Sequence, residues 1–430
     1  MMEGVYIMPE HESLKNNLLK CVEREEFIMS NFAKRMEIME ESANIIKSAF
    51  GAAANKDAIS FTLGSIAKEC LPVDKIRVIV DDIMRTESRG FEILSYGPVM
   101  GVKDLREIIV TDLLEPKGVK ADADNILVLT GGLEAMNLMC QLYIEPGDVI
   151  LVESPTFFHS LEIFHMFEAT CIPVEMNDEG IDTKDLEEKI KKYNPKMVYV
   201  IPTFQNPTGI TLSLERRKKI AELGSKYDVI ILEDDPYRDI RYSGEDLPPI
   251  KSFDKTGHTV LANSFSKIIS PGSRIGYVYA NDEIIAKMSD AKSATNSHTS
   301  MLPQVICAEF FKRGYFPEHH KLLCDVHRER RDALIESIDK YFPKGTKRTF
   351  PDGGLFAWVE LPGGLNTSEL LKEATSNPEV NVSFVTGEAF FAEGKGKGSN
   401  CMRLSFGANP PEKIRIGIER LGRLINSKLK

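Results

Sequence analysis

The chain has 430 residues, enough for two or three domains and a sizeable buried core. Hydrophobic residues make up 42% and charged residues 27%, which excludes disorder as the overall state. Fifty-four Lys and Arg against 64 Asp and Glu give a net charge of -10, which argues against a nucleic-acid backbone or an anionic membrane as the main partner.

Residues 13–50 are polar and helix-prone, and Ile38, Ser42, Ile45 and Ile46 fit one helical face. This stretch reads as a helical arm, too short and not basic enough for a winged helix-turn-helix. The extreme N-terminus lacks the basic and apolar regions of a signal peptide, and no apolar run reaches the length of a membrane span. Seven cysteines, Cys21, Cys70, Cys140, Cys171, Cys307, Cys324 and Cys401, include no CxxC pair. Their scatter and odd number argue against a disulfide framework or a zinc site and for a reducing cytoplasm.

From about residue 100, short apolar runs alternate with amphipathic helices. Strands are expected at Asn125–Leu129, Val149–Val152, Met197–Ile201, Val229–Leu232, Thr259–Ala262 and Ile275–Tyr279. Helices are expected between them, at Glu134–Ile144, Lys184–Tyr193 and Leu214–Tyr227. This rhythm predicts an α/β fold whose mainly parallel sheet is covered by helices on both faces. Further on, 282–294, 301–313 and 318–341 read as helices. Strand-like pieces follow at Phe356–Glu360, Val382–Val385 and Met402–Ser405, then a last helix at Glu412–Ile425. These form a smaller α+β domain. The expected division is 76–312 for the large domain, and 1–75 with 313–430 for the small one. The GKGKG run at Gly394–Gly398 reads as a loop, and the carboxylates of Glu329–Asp339 as a solvated face. His319 and His320 are adjacent, so they would face different sides of a helix; with no carboxylate at metal spacing they read as surface residues, and no metal is expected.

Four motifs stand directly after apolar strands: LTGGLEAM, PTFQNPTG, LEDDPY and NSFSKIISPGSRIG. Ligands of such sheets bind beyond the carboxyl ends of the strands, so the four can share one crevice. Gly131, Gly132 and Leu133 open a helix, which suits either an anion or a simple strand-to-helix turn. Asn206–Pro207 is turn chemistry that also presents a side chain.

Together with FTLGSIAKECLP, YGPVMGVKDLREII, PDGGLFAWVELP and NCMRLSFG, these motifs resemble the fold-type-I pyridoxal-phosphate enzymes. Within them the resemblance is to class I/II aminotransferases, closest to the 2-aminoadipate/kynurenine branch. It covers nearly the whole chain. It implies pyridoxal 5'-phosphate as cofactor, an L-amino acid and a 2-oxo acid as substrates, and a ping-pong exchange between them. The amino acid would be aromatic, branched-chain or 2-aminoadipate-like, and 2-oxoglutarate the acceptor.

By the same resemblance, Lys267 matches the lysine that forms a Schiff base with the cofactor, a task that needs an amine of lowered pKa. Asp234 matches the carboxylate facing the pyridine nitrogen; Asp235 would take its place only by an error of register. Tyr237 and Asn206 match the partners of the ring oxygen. Ser264, Ser266 and Arg274, with the backbone of Gly131, Gly132 and Leu133, match the phosphate site; many relatives carry serine at the place of Gly132. Phe157 matches the ring-stacking aromatic, often tyrosine, and Phe158 reads as packing. Arg403 matches the bidentate partner of the substrate α-carboxylate, and Gly64 a backbone position near it. Tyr96 matches a tyrosine that reaches the phosphate of a second subunit, which implies a homodimer. Two alternatives share parts of the pattern: a lyase or decarboxylase on the same fold, and a ligand-sensing regulator, for which the region ahead of the family-like part is short.

Overall fold

A computed structural model describes residues 58–429 except 395, together with 32, 33, 35–37, 39, 40 and 43. The face assigned to Ile38, Ser42, Ile45 and Ile46 lies outside the described residues. The strands in chain order are β1 (Ile59–Ser60), β2 (Ile126–Leu129), β3 (Val149–Ser154), β4 (Thr170–Asn177), β5 (Gly180–Ile181), β6 (Met197–Val200) and β7 (Ile230–Asp234). They continue with β8 (Thr259–Ser264), β9 (Gly276–Tyr279), β10 (Lys347–Arg348), β11 (Phe356–Glu360), β12 (Val382–Ser383), β13 (Val385–Thr386) and β14 (Cys401–Ser405).

Eight of them form one sheet in the order β2-β9-β8-β7-β6-β3-β4-β5. The pairs from β8 through β4 are parallel, whereas β9 runs antiparallel to both β2 and β8. Two reversals cancel, so β2 points the same way as β8. The carboxyl ends of β2, β8, β7, β6 and β3 therefore lie along one edge. All four residues of β2 and all six of β8 are buried, as strands covered on both faces must be.

Alternation sorts the side chains between two layers. Leu127, Leu129, Met197, Tyr199 and Leu232 join one core with Met136 and Met139 of the helix Leu133–Tyr143. Ile126 and Val128 face a second core built with Val305, Phe310 and Phe311 of the helix Met301–Lys312. Val198, Val200 and Ile231 face a third, under the helices Thr183–Tyr193 and Leu214–Tyr227. Each such aliphatic side chain contributes about 2 kcal/mol on burial.

A second, antiparallel sheet has the order β10-β11-β14-β13, with β1 and β12 forming a separate parallel pair. The helices Phe316–Tyr341 and Pro411–Lys428 pack on each other, the latter also against β1 and β12, and Glu329, Glu336 and Asp339 are exposed as expected. The single strand expected over Val382–Val385 is two short strands in different sheets, interrupted at buried Phe384. The surface reading of the histidines fails for His319. It is buried, bonded through Nε2 to the carbonyl of Ile268 at 2.8 Å, and edge-on to Phe310. Burial lowers its pKa to about 4. It joins the long helix to the turn that carries Lys267.

The loop before β11 ties the two sheets together. Gly354 N–H donates to the carbonyl of Ile240 at 2.8 Å, and Tyr242 N–H to that of Asp352 at 2.7 Å. A Cβ on Gly353 would stand 2.2 Å from the ring of Phe204 and 2.3 Å from the carbonyl oxygen of Ile240. Gly353→Ala is expected to destabilise the protein by about 2 kcal/mol, an overpacking cost. Gly90→Ala, inside the helix Glu87–Leu94 with nothing within 4 Å, should stabilise it by about 0.5–1 kcal/mol. Urea midpoints of the two variants check the contrast.

Candidate active site

The four motifs do meet at the shared strand edge. After β2, Gly131 adopts φ +86, and a Cβ there would lie 2.0 Å from Nη2 of Arg274. Only glycine fits. Gly276 of β9 packs behind it, where a Cβ would lie 2.8 Å from the carbonyl carbon of Gly131. Gly132 begins the helix Leu133–Tyr143 in the right-handed region, and its nearest neighbour to an added Cβ is Ser264 Cβ at 3.8 Å. A larger residue would fit there, so the missing hydroxyl is not imposed by crowding.

Across this turn stand two serines, Ser264 at the end of β8 and Ser266 just after it. Ser264 Oγ donates to Ser266 Oγ at 2.8 Å, and both residues are buried. Arg274 takes the left-handed conformation at φ +52 with its side chain exposed, and its Nη1 lies 3.4 Å from Ser266 Oγ. A cation, two hydroxyls and a glycine turn at a helix N-terminus thus surround one small space, which is the donor set for a phosphate.

Lys267 sits one residue further on. Its Nζ donates to the carbonyl of Gly64 at 2.5 Å and lies 6.0 Å from the Tyr237 ring centroid. Burial, then the charges of Arg403 and Arg274, push its pKa down to about 8. Its amine is therefore partly neutral near physiological pH.

Asp234 closes β7 and is buried. Tyr199 of β6 donates its hydroxyl to Asp234 at 2.8 Å, and Ser160 donates in turn to Tyr199 at 2.8 Å. Burial raises the pKa of Asp234 to about 7; the bond from Tyr199 opposes this and the charge of Asp235 adds to it. Asp235 itself is committed to Arg238 at 2.9 Å. Asn206 Nδ2 donates to the Tyr237 hydroxyl at 3.4 Å, and burial pushes that hydroxyl's pKa up.

Arg403 enters from β14 of the small sheet, opposite Trp358 and Val385. It is buried, donating to Asn206 Oδ1 at 2.9 Å and to the carbonyl of Thr62 at 2.6 Å. Its guanidinium lies 4.2 Å from the Phe356 centroid, 5.1 Å from Phe390 and 5.8 Å from Phe158. Its buried Nε has no protein partner. Burial lowers its pKa to about 10.

Phe157 is half-buried at the start of the helix Phe158–Met166, and Phe158 is buried against Phe390 at 5.3 Å between centroids. Gly64 is packed so closely that a Cβ would lie 2.5 Å from Phe356 Cζ. Tyr96 stands apart from these residues: it is 92% exposed, and His298 meets it edge-on. The site thus gathers every residue singled out from sequence except Tyr96. Sequence reasoning missed Tyr199, Ser160, the carbonyl of Thr62 and the rings of Phe356 and Phe390. A tyrosine inside the apolar run MVYV was the one available signal.

This arrangement, on this mixed sheet with its small antiparallel partner, is that of a fold-type-I pyridoxal-phosphate enzyme. The family described as Aminotransferase class I and II matches residues 71–421. An aromatic-amino-acid aminotransferase of Thermococcus litoralis is 38% identical over 87% of this chain and 89% of its own. The crystal structure of a multiple substrate aminotransferase from Thermococcus profundus superposes with a TM-score of 0.86 at 34% identity, over 93% of this chain and 98% of that one. The alpha-aminoadipate aminotransferase LysN of Thermus thermophilus, complexed with a phosphopyridoxyl-leucine, gives 0.82 at 31% identity, over 92% and 99%. The chain belongs to the class I and II aminotransferases, and it is a pyridoxal-phosphate-dependent enzyme.

Asp234 and Glu153 have folded pKa values of about 7 and about 8, above the roughly 4 of an unfolded carboxylate. Between those values the folded chain holds protons that the unfolded chain releases. Their contribution to stability is therefore complete below about pH 4 and lost as pH rises through 7 to 8. Asp234→Asn should raise the melting temperature of cofactor-free protein relative to wild type, by a margin that widens from pH 5 to pH 8. Heat denaturation at the two pH values checks it.

Proposed function

We propose that this aminotransferase moves the amino group of an aromatic or other large apolar L-amino acid to a 2-oxo acid such as 2-oxoglutarate. The observation that carries this is Arg403, a buried cation set among Phe158, Phe356 and Phe390 with Lys267 nearby. A guanidinium with open bonding capacity suits the α-carboxylate, and aromatic walls suit an apolar side chain. Trp358, 5.6 Å from the Phe390 centroid, extends the wall. The aromatic-amino-acid aminotransferase of Thermococcus litoralis supports the same substrate class.

Ser264, Ser266, Arg274 and the turn Gly131–Leu133 would hold the cofactor's phosphate. Asp234 would face its ring nitrogen, Tyr237 and Asn206 its ring oxygen, and Phe157 its ring face. When bound, pyridoxal phosphate supplies an aldehyde and an electron-accepting ring. Lys267 is the base: its partly neutral Nζ takes the α-proton of the substrate and later returns a proton from the same atom. Asp234 must be ionised to balance a protonated ring nitrogen, and the Tyr199 hydroxyl stabilises that ionised form. Arg403 orients the substrate through its carboxylate and, held by Asn206 and Thr62, needs little reorganisation to do so. Residues 76–312 would form the cofactor-binding domain, with 1–75 and 313–430 as the small domain that carries Arg403.

We also infer a homodimer in which Tyr96 reaches the phosphate site of the second copy. Phe91, Leu94 and Tyr96 are all exposed within one short stretch. Sedimentation velocity should give a dimer, and a fully active monomer would overturn this. The free cysteines, six among the described residues, support a reducing compartment such as the cytoplasm.

The purified protein should absorb visible light, and the band should convert on adding an L-aromatic amino acid alone. Lys267→Ala should lose both band and turnover. Arg403→Ala should keep the band and lose roughly a hundredfold in kcat/KM for amino acid and oxo acid alike. Ammonia release without an acceptor would instead mark a lyase.

A further inference from the structure

Behind the turn Thr130–Gly132 lies a charge cluster that the catalytic residues do not use. Glu134, in the first turn of the helix Leu133–Tyr143, accepts a hydrogen bond from the backbone N–H of Thr130. The same carboxylate binds Lys292 Nζ through both oxygens, at 2.8 and 3.0 Å. Asn296 Nδ2 donates to it at 2.7 Å, and Lys292 also donates to Asn296 Oδ1 at 3.1 Å. Lys292 comes from the helix Asp282–Asn296 and is 0% exposed, a fully buried cation. Thr130 is held on its other sides by Thr299 Oγ1 at 3.3 Å and by Arg274 Nη2, 3.5 Å from its carbonyl.

Two electrostatic facts follow. A carboxylate at the first turn of a helix favours that helix, but it would repel a phosphate at the same N-terminus. A lysine buried without a counter-charge is costly, so Lys292 and Glu134 require each other. Their pairing leaves the turn neutral from behind while keeping a strong acceptor on the Thr130 amide. With Arg274 in front and Glu134 behind, Gly131 has little freedom to leave its left-handed conformation.

We propose that Glu134 and Lys292 are positioning residues for the cofactor's phosphate: Glu134 fixes the phosphate-binding turn, and Lys292 cancels the carboxylate charge that would otherwise oppose the ligand. This rests on reading Gly131–Leu133 as the phosphate site. The test compares pyridoxal phosphate with pyridoxal, which lacks only the phosphate. Full-length protein freed of cofactor is titrated with each, following the fluorescence of Trp358, the chain's one tryptophan. The quantity read is the ratio of the two affinities, which general loss of structure would not change selectively.

Lys292→Met should lower that preference by roughly tenfold or more, through an unpaired carboxylate beside the phosphate. The double variant Glu134→Gln with Lys292→Met restores neutrality and keeps an acceptor for Thr130, so it should recover most of the preference. Glu134→Ala with Lys292→Met is equally neutral but lacks the acceptor, and should lose it again. These two neutral variants bury no unpaired charge, so their comparison stands even if Lys292→Met fails to fold. Equal preference in both would overturn the role of Glu134. Lys292→Met with wild-type preference would overturn that of Lys292. Wild-type protein that binds both ligands equally would overturn the phosphate site itself, and this inference with it.

Discussion

The site is organised around two cations, Arg403 buried and Lys267 half-buried, that have no carboxylate partner among the described residues. Lys267 and Arg403 are held instead by neutral acceptors, the carbonyls of Gly64 and Thr62 and the amide oxygen of Asn206. Removing a charge from water without an ionic partner is expensive, and neutral dipoles repay only part of it. Lys267 relieves the cost by giving up its proton more readily, which is the property a reactive amine needs. Arg403 cannot do so to the same degree, and it keeps a buried Nε without a protein partner. The unmet attraction is for anions, and an amino acid or oxo acid brings one.

The sheet supplies the counterweight. Asp234 lies buried at the end of β7, where its charge is costly unless something positive meets it. Cations on one side and a carboxylate on the other make a crevice polarised across its width. The chain tolerates this through close packing elsewhere: Gly131 and Gly276 let two backbone segments and the Arg274 guanidinium approach within distances no side chain would allow. His319 helps from outside, bracing the carbonyl of Ile268 right after Lys267.

Much of this was legible in the sequence because strand-end motifs in an alternating fold have few places to go. Lys267, Asp234 and Asn206 follow the ends of apolar runs and Arg274 precedes the start of one, Ile275–Tyr279, and the runs themselves are continuous enough to locate. The strand β4 and the helix Phe158–Met166 left weaker signals, since EATCIPVEMN and FHSLEIFHM mix polar and apolar residues without a clean period. Tyr199 was hidden for the opposite reason: in the run MVYVIP it looks like core, and only the register between β6 and β7 brings its hydroxyl to Asp234. His319 was misjudged because adjacency to His320 says nothing of which one faces the sheet. Backbone groups such as the Thr62 carbonyl have no sequence signature at all.

Both cations lean on one short segment. Thr62 and Gly64, two residues apart, hold Arg403 and Lys267 through their carbonyls. The same segment is pinned to β14 by Ser405, whose N–H donates to Phe61 and whose Oγ donates to Leu63. A shift of that segment lengthens both contacts together. Tightness of carboxylate capture and readiness of the amine are thus geared to a common axle, and a sequence change in residues 61–65 will not adjust one without turning the other.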